Sequence, residues 1–176
     1  MEWVVLVLRL PTEPSRHRVG VWRELRRGGA VQLGQGTWAL PLRPVFTECI
    51  DRVVALVGRG DGEVLVLHAK GAQTGGSRRL EGLYTEAREA EWTEFLSECD
   101  KYRAEIEGEI AKEKFTLAEL DEEEQSLERL RRWHRQLSIR DVFGAPSSAD
   151  AHDRLAECER DLDGFSGRVY QALHGE

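Results

Sequence analysis

A chain of 176 residues that is 40% hydrophobic and 32% charged, with a mass of 20.0 kDa, can bury a core; a stapled peptide and a disordered segment are excluded. Its longest apolar run covers residues 3–8. A membrane span needs roughly 20 and a signal-peptide core roughly 7–15, so a cytoplasmic protein without membrane contact is expected. The net charge of −7 hides an asymmetry, since residues 1–80 hold 12 Lys+Arg against 7 Asp+Glu, and residues 81–176 hold 13 against 25. A basic first part and an acidic second part suggest two surfaces, one of which attracts anions.

In chain order, residues 2–9 are apolar and β-branched, as a strand buried on both faces requires, and Pro11 and Pro14 end them. Ser15 can cap the helix that follows. In it Val19, Trp22 and Leu25 recur at three-residue steps, Arg16, Arg18, Arg23, Arg26 and Arg27 occupy the rest, and Gly28-Gly29 stops it. Two short arms around Gly34-Gln35-Gly36 read as a β-hairpin. A second helix runs through Phe46, Cys49, Ile50, Val53, Val54 and Val57, and residues 63–68 supply a last strand. The expected class is α+β, beginning with a ferredoxin-like β-α-β-β-α-β unit over residues 1–70.

Residues 71–79 read as a polar, glycine-rich linker, and residues 80–176 as a three-helix extension packed as an antiparallel long-helix bundle. Leu83, Ala87, Trp92, Phe95, Cys99, Tyr102, Ile106 and Ile110 line the first long helix; Leu117, Leu120, Leu127, Leu130, Trp133 and Leu137 line the second. After the break around Gly144 and Pro146, Ser147 to Asp150 resembles a capping box opening a third helix, lined by Leu155, Cys158, Leu162, Phe165, Val169 and Leu173. Phe95, Tyr102, Leu127, Leu130, Leu162 and Phe165 are the expected core.

Catalytic signatures are missing: there is no G-x-S-x-G, H-E-x-x-H or G-x-x-x-x-G-K-S/T, and His17, His68, His134, His152 and His174 lack ligand spacing. A non-enzymatic protein with no cofactor and no metal is expected. The acids at 121–124 point around a helix and read as a solvated first turn. Cys49, Cys99 and Cys158 have no C-x-x-C pairing and fall on apolar helix positions, which makes them buried hydrophobes; a redox thiol would need exposure. Trp22 and Trp38 read as packing residues.

The candidate anion- or DNA-binding residues are Arg16, Arg18, Arg23, Arg26 and Arg27, because guanidinium forks hold oxyanions and phosphates bidentately. Arg16 and Arg18 are the expected holders of a small dianion, and Arg23 and Arg27 of nucleic-acid phosphates. The alternative is that these arginines are merely solvated or pair with carboxylates among residues 81–128.

The run from Arg16 to Leu25 containing Val19-Gly20-Val21-Trp22, then Gly29-Ala30-Val31 and Gly36-Thr37-Trp38-Ala39-Leu40-Pro41, resembles the N-terminal domain of the ChrB-type chromate-resistance proteins. Arg88-Glu89-Ala90-Glu91-Trp92 and Asp141-Val142-Phe143-Gly144-Ala145-Pro146 resemble the helical region of the same family. The resemblance implies a regulatory or accessory protein of chromate resistance, concerned with transcription regulation of an efflux operon. It implies DNA or chromate as partner; a homodimer is expected separately, because helices this long can bury their seams against one another or against a second subunit. In that family a C-terminal chromate-resistance domain usually follows; residues 1–176 contain no counterpart, so a stand-alone module is expected. The β-α-β-β-α-β unit is also similar to CRISPR-adaptation nuclease subunits and to the dimerising domain of phenylacetate-pathway repressors. Leu8-Arg9-Leu10 stands where the nucleases carry a metal-binding aspartate, so nuclease activity is not expected. The other functional reading is a non-catalytic protein–protein assembly module.

Overall fold

Valine and leucine in β1 (Trp3–Arg9) place this strand inside a four-stranded antiparallel sheet of order β2-β3-β1-β4. The computed structural model describes residues 1–72 and 75–175. After β1 come α1 (Ser15–Arg27), β2 (Val31–Gly34), β3 (Thr37–Pro41), a 3-10 turn at Pro44–Phe46, α2 (Thr47–Arg59) and β4 (Glu63–Ala69). This is the α+β order read from the sequence, and among the described residues no strand follows Ala69. Leu6 stands opposite Trp38 on one side and Val66 on the other. The hairpin turn needs Gly36: its φ is +68°, and a Cβ there would lie 2.5 Å from the Leu8 carbonyl oxygen.

The apolar stripe of α1 is rotated from the expected one. Val21 and Leu25 are buried, whereas Val19 and Trp22 are exposed. Pro14 occupies the N-cap position and Ser15 is already helical, without a side-chain cap bond. Cys49 of α2 fits against the end of α1, where a Cβ on Gly28 would meet its sulfur at 2.0 Å. Close approach of the two helices therefore depends on that glycine.

The chain divides into two compact units, residues 1–88 and 89–176. Of the linker expected over residues 71–79, residues 73 and 74 lie outside the described residues, and α3 (Gly76–Ala111) has begun before it ends. Residues 76–88 belong to the first unit for a packing reason. Tyr84, fully buried, meets Trp3 edge-on at 6.0 Å and Phe46 at 6.3 Å. The Arg88 guanidinium lies 4.6 Å from the Tyr84 centroid and donates to the Gly29 carbonyl at 2.7 Å.

The second unit contains the rest of α3, α4 (Leu117–Arg140) and α5 (Ser148–His174). Trp92 near its start meets Asp141 beyond the end of α4, and Arg103 bonds both Glu157 and Asp161 of α5. Arg131 reaches Glu159, and the His134 ring lies beside His152. These pairings make α4 antiparallel to both neighbours and α3 parallel to α5. Phe95, Tyr102, Leu127, Leu130 and Phe165 are core as expected, with Leu162 partly buried beside them. Leu83, Leu117 and Leu173, expected in the seams, are exposed. Leu117 and Leu173 lie at the ends of α4 and α5, and Leu83 lies in the stretch of α3 that belongs to the first unit.

Two sequence-derived expectations change in this unit. Glu123 is not on a solvated turn: it is only 5% exposed, near the Tyr102 hydroxyl, and burial with the acids Glu105, Glu122, Glu109 and Glu119 around it raises its pKa to about 7. Among the described residues, neither its Oε2 nor the Tyr102 hydroxyl has a hydrogen-bond partner. The second change is at the start of α5, where no Ser147 capping box forms. The Ser147 N–H donates instead to the Glu89 carboxylate of α3, at 2.9 Å. No helix among the described residues is long and apolar enough to cross a membrane.

Candidate anion-binding groove

The five arginines predicted as a site are all exposed on α1, but the 3.6-residue turn sorts them into separate stripes. Arg16, Arg23 and Arg27 recur at steps of seven and four and share one side. Arg18, Trp22 and Arg26 recur at steps of four and share another. Arg16 and Arg18, two positions apart, point to different sides and cannot grip one small ion together.

Their neighbours separate them further. Arg27 bonds Glu24 at 2.6 Å, and Arg52 of α2 bonds the same carboxylate at 2.6 Å while also reaching Glu48. Burial alone would raise the Glu24 carboxyl; hydrogen bonds from Arg52 and Arg27 outweigh it and hold the group below the usual carboxylate range. Arg26 lies over the Trp22 ring, 5.0 Å from its centroid. Among the described residues, no ion pair holds Arg16, Arg18, Arg23 or Arg26.

Of the five, Arg18 enters a concave site. A groove of about 450 Å³ runs between α1, the end of β1 and the β2–β3 turn, with Arg9, Arg18, Gln32 and Gln35 as its polar lining. Val21, Leu25 and Trp38 supply apolar wall, and Trp22 borders it. Trp38 is buried as expected, but Trp22 is 47% exposed, which corrects its reading as a packing residue. Rotation of the buried stripe onto Val21 and Leu25 leaves the indole at the groove's rim.

Among the described residues, no carboxylate lines this groove. Two guanidinium groups and two carboxamides supply N–H donors over an apolar wall, an arrangement suited to an oxyanion or a phosphate ester. Sequence reasoning missed Arg9, Gln32 and Gln35. Arg9 closes the opening strand, and Gln35 is the residue between the two hairpin glycines, so chain position gave a signal for both; their convergence on Arg18 needed the fold.

The cysteines are enclosed as expected, with Cys49 5% and Cys99 and Cys158 0% exposed. The hydrogen bond shared with Cys158, and then burial, push the Cys99 thiol far above its ordinary range. None of the three lines the groove.

Comparison with known proteins adds a family. The family model described as "Protein ChrB, N-terminal" matches residues 18–176. A curated relative, "Protein ChrB" of Cupriavidus metallidurans, is 29% identical over 154 residues, covering 87% of this chain and 43% of the relative. The chain thus spans less than half the length of the relative it matches.

Proposed function

The chain belongs to the ChrB N-terminal family, and from that premise we propose that it is a regulatory or accessory protein of chromate resistance that binds an anion through α1. The role is one of binding and not of catalysis, in the cytoplasm, with chromate or nucleic-acid phosphate as the ligand and transcription regulation as its setting. The observation that carries the reading is the groove in which Arg18 of α1 lines the same cavity as Arg9, with no carboxylate among the described lining residues. A small dianion fits the Arg9–Arg18 pair. Phosphates spaced along a nucleic acid fit the outer stripe of Arg16, Arg23 and Arg27, where charge is distributed along the helix.

Titration of the full chain with chromate, sulfate and duplex DNA, read by tryptophan fluorescence, tests the proposal. A groove ligand predicts that sulfate competes with chromate, and that Arg9→Ala or Arg18→Ala each weakens binding about tenfold or more. Arg16→Ala and Arg23→Ala then change it little. A DNA ligand predicts the reverse set, with affinity falling steeply as salt rises and the slope flattened by about one unit in each outer-stripe variant. Absence of binding by all three ligands at low salt overturns the reading.

A further inference from the structure

We infer that the groove of the first unit is a nucleotide site: it takes a phosphate joined to a nucleobase, with the phosphate on Arg9 and Arg18 and the base against Trp22 and the carboxamides of Gln32 and Gln35. The inference rests on the reading of the groove as an anion site and adds the remainder of the ligand.

Size carries the first step. The groove encloses about 450 Å³, within the range of about 300–1,000 Å³ usual for small-molecule pockets. A water molecule occupies about 30 Å³ of the liquid, and a bare tetrahedral oxyanion only a few times that, so such an ion on two guanidinium groups would leave most of the space to solvent. The lining beyond the arginines is unsuited to a bare ion as well. Val21, Leu25 and Trp38 contribute apolar wall, which an inorganic oxyanion leaves wet and a flat ring attached to the anion covers.

The polar lining selects a nucleobase among flat rings. A carboxamide presents a donor and an acceptor side by side, the pattern that base edges complement. Gln32 and Gln35 place two such groups on this groove. The Gln32 Nε2 donates to the Gly34 carbonyl at 3.2 Å, which orients the group and leaves its Oε1 for a ligand. An aromatic carboxylate would use the arginines and find no partner for two carboxamides. Trp22, 47% exposed, supplies the stacking surface. Arg26 holds this indole from one face and does not itself line the groove.

The walls are fixed before a ligand arrives. The Leu8 amide donates to the Gly36 carbonyl at 2.6 Å, so the turn that carries Gln35 is pinned beside the end of β1 that carries Arg9. On the other side, Glu24 ties α1 to Arg52 of α2. Little ordering is therefore needed on binding.

Isothermal titration calorimetry of the full chain with inorganic phosphate, the common nucleoside 5′-monophosphates, the corresponding nucleosides and a short 5′-phosphorylated single strand tests the inference. At least one monophosphate should bind about tenfold or more tightly than inorganic phosphate, through stacking of its base, and more tightly than its nucleoside. Trp22→Ala should abolish the gain over inorganic phosphate and leave phosphate affinity unchanged, with unchanged far-ultraviolet dichroism as the control for folding. Arg18→Ala should weaken both ligands, and Gln35→Leu should level the preference among bases. If the source is a free nucleotide, the monophosphate binds more tightly than the strand; if it is a strand end, the strand binds more tightly and loses that affinity with its 5′-phosphate. Monophosphates that bind no better than inorganic phosphate overturn the inference and leave the anion site standing, as does a gain that persists in Trp22→Ala. Absence of binding by inorganic anions and nucleotides alike removes the anion reading together with it.

Discussion

The Arg26 guanidinium covers one face of the Trp22 indole, 5.0 Å from its centroid, in the stripe that borders the groove. An exposed cation–π contact contributes about 0.5–1 kcal/mol. Its geometric effect is to hold a half-exposed aromatic side chain at the rim. Trp3, Trp38 and Trp92 are nearly fully buried and Trp133 is partly buried, so Trp22 should be the indole most accessible to iodide. Trp22→Phe is expected to remove most of that quenching, and an anion bound in the groove should protect Trp22 in the wild type. Unchanged iodide quenching in Trp22→Phe would place the exposed indole elsewhere.

Glu24 joins α1 to α2 by accepting from both Arg27 and Arg52. Glu24→Ala should destabilise the first unit by about 1–3 kcal/mol, because it removes a nearly buried acceptor from two guanidinium groups. The acid side follows from the sign of its shift. Its folded pKa lies below the ordinary carboxyl value of about 4.5, so its contribution is present above that value and is lost as pH falls through the folded pKa. In Glu24→Gln, that share of the acid loss of stability should be missing from denaturant titrations.

Glu123 titrates in the opposite sense. Its folded pKa of about 7 exceeds the ordinary carboxyl value of about 4.5, so the folded state holds the proton more tightly. The second unit should therefore lose stability as pH rises from about 4.5 to 7, by up to roughly 3 kcal/mol from this group. Glu123→Gln should flatten the dependence and raise the melting temperature at pH 8. Equal melting curves for the two proteins at pH 5 and pH 8 would contradict the buried, protonated carboxyl.

Asp141 accepts from the Trp92 indole at 2.8 Å and from the N–H groups of Gly144 and Ala145 at 3.0 and 2.9 Å. Asp141→Ala removes all of these and should cost about 2–3 kcal/mol, lowering the melting temperature by roughly 5–10 °C. Trp92→Phe should retain the loop bonds and lose only the indole contact. Its effect on the 141–147 loop, measured by amide exchange, is expected to be smaller than that of Asp141→Ala.

The element order was legible because each segment carries local punctuation. Gly28-Gly29 ends α1, Gly34 and Gly36 frame the hairpin turn, and Pro146 precedes α5. The two helical-region motifs noted in the sequence meet through the Trp92–Asp141 bond, and Glu89 and Glu91 bond Ser147 and Arg140, the residues on either side of the second motif. Which side of a helix is covered was less legible. Trp22 and Val21 are adjacent, and periodicity placed Trp22 in the stripe that Val21 occupies. The groove was less legible still, because Arg9 and Arg18 come from different elements and only the turn between β2 and β3 completes their surroundings. Glu123 was misplaced for a related reason: four consecutive acids look solvated, but one position in every helical turn must face the neighbouring helix.

The bond from the Ser147 amide to Glu89 makes the beginning of α5 a non-local structure. A helix capped by its own sequence can nucleate alone, whereas α5 takes its closing group from a residue 58 positions earlier. Residues 148–174 as an isolated peptide would keep the apolar stripe but lack the carboxylate that meets the entry amide and favours the helix dipole. Fraying of α3 near Glu89 would release the start of α5 as well. The same stretch of α3 holds Asp141 through Trp92, so the end of α4 would loosen with them. Loss of these helices is thereby coupled into one cooperative transition, with the short span from Glu89 to Trp92 as its common point of failure.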